Sequence, residues 1–226
     1  MSIPRLCLSL VLLVSSMAGR AIAQDPAPKA ESGLEPEFRQ LRAKLAAQPE
    51  FNGTDAVSKF RLAEELARRG DVQGAIETYR AAIHLKADWP DPYRGLGQVL
   101  LDHHDYSEAV QALQTGIRLG RDDYQAFYWL GRAFMGKGDL PASAIALERA
   151  AELKPDDADT FADLGLVRMA QGDVAGAEQA LTRAIRLKPD LADAHRLRER
   201  LMKAQGDPEL AREAGAALLK SLFARE

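Results

Sequence analysis

The sequence YQAFYWLGRAFMGKGDLPASAIALERAAELKPDD, residues 124–157, decides the fold of this chain. It contains two helical patterns separated by a Gly-Asp turn. Its landmarks recur at intervals of 34 residues. Leu-Gly pairs lie at 96–97, 130–131 and 164–165, and Gly-Asp turns lie at 70–71, 138–139, 172–173 and 206–207, with His104-Asp105 in the remaining position. A fixed period of this length predicts an array of stacked helix pairs.

The composition is ordinary for a soluble protein. Of the 226 residues, 46% are hydrophobic and 28% are charged, and the formal net charge is -3. A protein that binds nucleic acid usually has a basic face and a high pI, so this charge argues against a nucleic-acid partner. The sole cysteine is Cys7.

The first 23 residues have the pattern of a secretory signal peptide. Arg5 precedes an apolar run over residues 6–14, and residues 21–23 provide a small-residue cleavage pattern. The run is shorter than the ~20 apolar residues that cross a bilayer. The sequence therefore predicts cleavage after Ala23 and no stable membrane span in the mature chain, with an uncleaved anchor as the alternative. A mature chain without cysteine suits an oxidising compartment, so we expect a periplasmic or secreted protein.

The rest of the chain divides at points set by proline and by the repeat period. Residues 24–35 carry few large apolar side chains and are predicted to be a flexible linker. Pro36 suits the first turn of a helix that Pro49 ends, and we expect residues 36–55 to cap the array. Four repeats are predicted at 56–89, 90–123, 124–157 and 158–191, followed by a degenerate capping repeat at 192–226.

The last helix of the capping repeat is predicted to begin at Pro208. Its apolar residues at helical spacing predict one buried stripe, which consists of Leu210, Ala214, Ala217, Leu218 and Leu222. The preceding helix carries Arg196, Arg198 and Arg200 and is unusually polar. A polar outer face is typical of a terminal repeat.

Small residues recur in register inside the predicted helices. Gly97, Gly131 and Gly165 lie in mid-helix, where glycine costs about 1 kcal/mol relative to alanine. The positions opposite them hold Ala109, Ser143 and Ala177. This pattern predicts that the two helices of each pair approach closely at that point.

These landmarks resemble the tetratricopeptide repeat (TPR), a 34-residue antiparallel helix pair. One copy matches the family pattern at Phe127, Leu130, Gly131, Phe134, Gly138, Asp139, Ala150 and Pro155. The resemblance covers residues 56–191, with departures at Lys59 and Ala63 in the first copy and Arg168 in the fourth. It implies an all-α solenoid of about five repeats, the last one degenerate, with an N-terminal capping helix.

In TPR arrays the first helices of successive pairs line a concave groove that commonly holds a peptide. The resemblance implies that the groove of this chain is lined by Phe60, Glu64, Arg94, Gln98, Leu101, Tyr128, Arg132, Met135, Leu166, Met169, Arg196 and Arg200. Arginine holds carboxylates, and tyrosine and methionine suit adaptable apolar contacts, so we expect a partner peptide with acidic and apolar groups. The alternative is that these arginines are solvated and paired with neighbouring acidic residues.

Some TPR domains clamp the C-terminal carboxylate of chaperones with lysine, arginine and asparagine side chains. The corresponding positions of this chain hold Phe60, Glu64, Gly95, Gln125 and Trp129. The sequence therefore predicts a different kind of partner.

Nothing in the sequence matches a catalytic motif, and no cofactor is expected. The segment Asp102-His103-His104-Asp105 contains metal-ligating residue types, but it falls on a predicted turn, where adjacent side chains point apart. A metal-binding or enzymatic role for His103 and His104 is the least favoured alternative. We predict a scaffold or adaptor of the cell envelope, with a holdase-like accessory that presents an exported apoprotein to a maturation enzyme as the alternative. Self-association through the C-terminal helix stays open.

Overall fold

The computed structural model describes residues 55–120, 123–204 and 206–223. In this part of the chain the secondary structure is entirely helical, with ten α-helices and no β-strand. The predicted signal peptide, linker and capping helix lie outside the described residues. In chain order the helices are α1 Ala56–Arg68, α2 Val72–Leu85, α3 Pro90–Asp102, α4 Tyr106–Gly120, α5 Tyr124–Lys137, α6 Leu140–Leu153, α7 Ala158–Gln171, α8 Val174–Leu187, α9 Ala192–Lys203 and α10 Pro208–Phe223.

The Gly-Asp dipeptide ends one helix and begins the next. Gly138 follows α5 with a φ of 77°, a left-handed conformation that favours glycine because it has no Cβ. Asp139 then caps α6 by accepting a 3.2 Å hydrogen bond from the Ala142 N–H. His104 takes the glycine position after α3 with a φ of 62°. The turn geometry therefore persists in the repeat that lacks the glycine.

Contacts between repeats give the array its direction of curvature. Helices α1–α2, α3–α4, α5–α6 and α7–α8 pack as pairs, and each pair stacks on the next. The odd-numbered helices from α1 to α9 also contact one another across repeats, while contacts between α2, α4, α6 and α8 are few or absent. The odd-numbered helices therefore line the inner side, which we call the inner groove. This arrangement confirms the prediction of an all-α solenoid of stacked helix pairs.

The glycines within the helices mark the point of closest approach in each pair. A Cβ placed on Gly131 would lie 2.6 Å from Cγ of Leu147, and one placed on Gly165 would lie 2.7 Å from Cγ of Leu181. Gly97 meets Leu113 in the same way. The close approach is as predicted, although the nearest atoms belong to leucines that lie four residues after the predicted small residues. Ser143 is buried at the same contact and donates a 2.8 Å hydrogen bond to the Gly131 carbonyl.

The last helix differs from the expected closing pair. Helix α10 makes few contacts with α9 and packs mainly against α7, with further contacts to α5. The register of its predicted stripe is wrong as well. The buried residues are Ala211, Gly215 and Leu219, while Leu210, Ala217 and Leu222 are exposed and Ala214 and Leu218 are partly buried.

The polarity of α9 explains this arrangement. On its exposed side α9 presents Arg196 and Arg200, and Arg198 pairs with Glu178 of α8 at 2.9 Å. A helix placed against this side would bury charged groups at a cost. The inner groove offers Met135 and Met169, which lie in one apolar cluster with Leu219. Burial of apolar surface therefore favours the inner groove for α10.

Replacing Gly131 with leucine tests the glycine–leucine contact. Because a Cβ at this position already overlaps Leu147, we expect Gly131→Leu to destabilise the protein by about 1–3 kcal/mol or more. Urea unfolding followed by circular dichroism measures this change. Lys137→Leu places the same side chain at an exposed position of the same helix and should have little effect. Equal stability of the two variants would contradict the close approach.

Candidate binding cleft on the inner groove

Helix α10 lies directly against the backbone of α7. A Cβ on Gly215 would lie 2.5 Å from the Ala170 nitrogen and 2.7 Å from its Cα. Only glycine fits at such a crossing without displacement of one helix. At its far end, α10 reaches the start of α4, where the Tyr106 hydroxyl donates a 3.0 Å hydrogen bond to the Phe223 carbonyl. The rings of Tyr106 and Phe223 are 5.7 Å apart in an edge-to-face arrangement.

The position of α10 decides which of the predicted groove residues are accessible. Met135, Leu166 and Met169 are buried in an apolar cluster that includes Ala211 and Leu219 of α10. Each was predicted to face a ligand. Met135 and Met169 instead contribute to the core that α10 completes, while Leu166 contributes to that core and also borders the cleft described next. Leu101 is also buried.

Five of the predicted residues converge on one cleft beside α10. The cleft has a volume of about 370 Å³. Helices α5, α7 and α9 supply one side of it, and α10 supplies the other. Its lining residues include Tyr128, Arg132, Leu166, Arg196 and Arg200 from the predicted set, and Asp159, Asp163, Leu218, Ser221 and Leu222 in addition.

A charged pair lies within the lining of this cleft. Nε of Arg132 is 3.7 Å from Oδ2 of Asp163, and the two side chains are 34% and 24% exposed. Both atoms are buried, and neither has a hydrogen-bond partner among the described residues. Burial raises the pKa of Asp163 to about 6, and this rise is opposed by the Arg132 charge and by the Tyr128 hydroxyl. A proton on Asp163 is therefore gained or lost near neutral pH, inside the cleft.

The predicted arginines differ in their partners. Arg94 pairs with Asp123 at 2.7 Å and with Asp91 at 3.2 Å, and Asp123 is also the N-cap of α5. Arg94 therefore has the local pairing that the sequence left open as the alternative. Arg196 pairs with its neighbour Asp193 on the surface. Within the described ranges, Arg200 makes no ion pair, and its side chain is exposed at the cleft.

The predicted residues at the N-terminal end of the array do not join this cleft. Glu64 and Gln98 line a separate hollow of about 370 Å³ together with Tyr79. Phe60 is half-buried, with its ring centroid 4.8 Å from that of Trp89 and 6.0 Å from that of Tyr79. Phe60 therefore joins an aromatic cluster between the first two repeats.

Sequence reasoning missed Asp163 and the wall formed by α10. Asp163 occupies the position that holds Trp129 and Gly95 in the two preceding repeats. An acidic residue in that register was a signal that could have singled it out, since the first repeat has Arg61 at this position. Leu218 and Leu222 gave no comparable signal, because their spacing fits a closing helix pair equally well.

The histidine segment forms part of a turn. His104 lies in the left-handed region, and its ring contacts the hydroxyl group of Tyr106. Across the described ranges, no group of three or more His, Cys, Asp or Glu side chains is placed to hold a metal ion. None of the helices α1–α10 is both long and apolar enough to span a membrane.

Comparisons with known proteins place the repeats in context. Two family profiles described as tetratricopeptide repeat match residues 94–158 and residues 130–202. No curated protein sequence matches the chain.

Solved structures of TPR proteins share the fold. YrrB, described as a TPR protein with an unusual peptide-binding site, is 22% identical, with a TM-score of 0.62 over 81% of this chain and 92% of its own. MamA from Desulfovibrio magneticus RS-1 is 20% identical, with a TM-score of 0.62 over 81% of this chain and 96% of its own. The first TPR of Spaghetti (RPAP3), bound to the HSP90 peptide SRMEEVD, is 17% identical, with a TM-score of 0.51 over 52% of this chain and 93% of its own.

The raised pKa of Asp163 predicts a specific dependence of stability on pH. Between the ordinary value of 3.8 and about 6, the folded state binds this proton more tightly than the unfolded state. The contribution of Asp163 to the free energy of unfolding is therefore present at low pH and is lost as pH rises through about 6. We expect wild type to lose stability relative to Asp163→Asn between pH 5 and pH 7, as measured by urea unfolding at both values.

The exposed carboxyl of Asp159 in the same cleft provides the control. Asp159→Asn keeps both members of the Arg132–Asp163 pair but removes a negative charge that helps to raise the pKa of Asp163. The loss of stability with rising pH should therefore persist in this variant and shift to lower pH. A difference between wild type and Asp163→Asn that stays constant over this range would indicate that the Arg132 charge outweighs burial, because a pKa below 3.8 places the pH dependence of stability below about pH 4.

Proposed function

We propose that this chain, which belongs to the tetratricopeptide-repeat family, is a non-enzymatic adaptor that holds a peptide segment of a protein partner in the cleft beside α10. One observation carries the proposal. Residues from three successive inner helices, Tyr128 and Arg132 of α5, Leu166 of α7, and Arg196 and Arg200 of α9, converge on a single cleft. Convergence of apolar and cationic groups in a concave site is typical of a binding site.

The chemistry of the cleft favours a peptide with both apolar and acidic groups. Leu218 and Leu222 of α10 give it an apolar wall, and Leu222 is 56% exposed. Arg196 and Arg200 supply guanidinium groups that hold carboxylates. Arg196 is exposed and exchanges its neighbour Asp193 for a ligand carboxylate at little cost, because exposed ion pairs contribute little to stability.

The similar structures support peptide binding as the general role. YrrB is described as having a peptide-binding site, and the first TPR of Spaghetti is bound to an HSP90 peptide. In this chain the positions of the chaperone clamp hold Phe60, Glu64 and other residues that do not form a cationic clamp. The proposed partner therefore differs from a chaperone tail.

The proposed location is the cell envelope. The pattern of residues 1–23 is that of a secretory signal peptide, and the remaining chain contains no cysteine. An adaptor in this location would join components of an envelope assembly. Nothing in the cleft favours the holdase alternative, which calls for a broad unspecific apolar surface.

Photocross-linking identifies the partner. A photoreactive residue replaces Tyr128 in the cleft in cells, and the captured protein is identified by mass spectrometry. The same residue in place of Gln179, an exposed position on the outer helix α8, is the matched control. A partner captured from position 128 and absent from position 179 supports the cleft, while identical capture at both positions contradicts it.

Charge reversal then measures the contribution of the arginines. We expect Arg196→Glu with Arg200→Glu to weaken binding of the captured partner on the order of tenfold, because each reversal replaces attraction to an acidic group by repulsion. Fluorescence anisotropy at two salt concentrations measures this effect. Arg186→Glu makes the same change on the outer surface and should leave binding unchanged. Unchanged binding by the double variant would contradict the proposal that the partner binds in this cleft.

A further inference from the structure

Helix α10 occupies the inner groove as a ligand helix would. Its buried face presents Ala211, Gly215, Leu219 and Phe223 at intervals of four residues, which is one stripe of a helix. The opposite face carries exposed residues, among them Glu213 and Ala217. The chain therefore shows which pattern of side chains the inner groove accepts.

Each position of this stripe meets a matching feature of the groove. Gly215 lies against the Ala170 backbone, where any Cβ would overlap α7. Leu219 and Phe223 line one cavity together with Met135. Methionine is flexible and polarisable, and such a surface repacks around different apolar ligands.

Outside the groove, α10 is only weakly attached to the array. It makes few contacts with α9, its neighbour in sequence, and it is joined to α9 through residues 204–207. The pairs from α1 to α8 pack against one another without it. Because repeat arrays are held by contacts between neighbouring elements, departure of α10 leaves these pairs intact.

We infer that α10 is an exchangeable occupant of the inner groove and that an amphipathic helix of the partner replaces it. This partner helix carries two small residues, a leucine and an aromatic residue at successive four-residue intervals. The inference rests on the proposed function for the side of the cleft that α5, α7 and α9 supply. It adds the helical form of the ligand and the prior release of α10, so that the partner helix takes the place of the wall that Leu218 and Leu222 form in the unbound chain. The flank of the partner helix then contacts the cleft residues.

While α10 occupies the groove, a competing helix can bind only those molecules in which the groove is open. Its apparent affinity is therefore reduced in proportion to the fraction of open molecules. A variant that releases α10 should therefore bind helical ligands more tightly. Gly215→Val is such a variant, since its side chain overlaps Ala170 while every groove residue on α5 and α7 stays unchanged. Ala217→Val introduces the same side chain on the exposed face of α10 and is the matched control.

The probe is a fluorescent peptide with the sequence of residues 207–223, added to the full chain. We expect the peptide to bind Gly215→Val at least about tenfold more tightly than wild type or Ala217→Val, because the competitor is removed. The same peptide carrying Gly215→Val should not bind. Limited trypsin digestion checks the release, because cleavage after Arg212 and Lys220 should accelerate in Gly215→Val while α1–α9 stay protected.

Leu219→Lys repeats the test without added bulk at the helix crossing, since it removes a buried apolar contact of α10. Peptide binding by either folded variant supports the inference. The inference is overturned if α10 is released in a folded variant that still fails to bind the peptide, or if neither substitution releases α10. A stable wild-type dimer that excludes the peptide would assign the groove to α10 of a second copy and would also overturn it.

These outcomes are separate from those of the proposed function. The peptide test needs no knowledge of the natural partner and does not involve Arg196 or Arg200. If the peptide fails to bind while binding of the partner still depends on Arg196 and Arg200, only the exchange of α10 is rejected. Peptide binding together with charge-independent capture of the partner would reject only the cleft.

Discussion

The contact between a mid-helix glycine and a leucine of the partner helix sets the geometry of every central repeat. Gly97 meets Leu113, Gly131 meets Leu147, and Gly165 meets Leu181. Because a Cβ at any of these glycines would overlap the leucine, the two helices of each pair are held at one short distance. The pairs stack on one another and give an array whose inner side is lined by the odd-numbered helices.

The same constraint creates the inner groove and the need to cover it. No single helix pair buries its apolar face alone, and stacking leaves the inner positions of α5 and α7 without a cover. Met135, Leu166 and Met169 are apolar at these positions, and α10 completes their burial. Helix α9 is too polar on its exposed side to hold α10 as an ordinary partner. The distribution of apolar and charged residues therefore explains both why α10 does not pair with α9 and why it occupies the groove.

Most of the fold could be predicted because it depends on local and periodic features. The Gly-Asp turns follow from a left-handed residue and an N-cap, and even His104 adopts the expected geometry. The placement of α10 could not be predicted, since Leu218 and Leu222 fit the spacing of a closing helix as well as that of an inner helix. The burial of Met135 and Met169 depends on that placement and was missed for the same reason. Asp163 combines burial with charge. Its only signal in the sequence was an acidic residue at the position that holds Trp129 in the preceding repeat.

The placement of α10 in the inner groove of the full chain in solution underlies both the cleft and the proposed exchange of α10. Nuclear Overhauser contacts from isotope-labelled methionine methyl groups measure this placement, because Met135 and Met169 lie in the groove. We predict contacts from the Met135 methyl group to the Leu219 methyl groups and to the Phe223 ring, which line one cavity with it. Contacts of α10 with α9 alone, or random-coil chemical shifts for residues 208–223, would contradict this placement of α10.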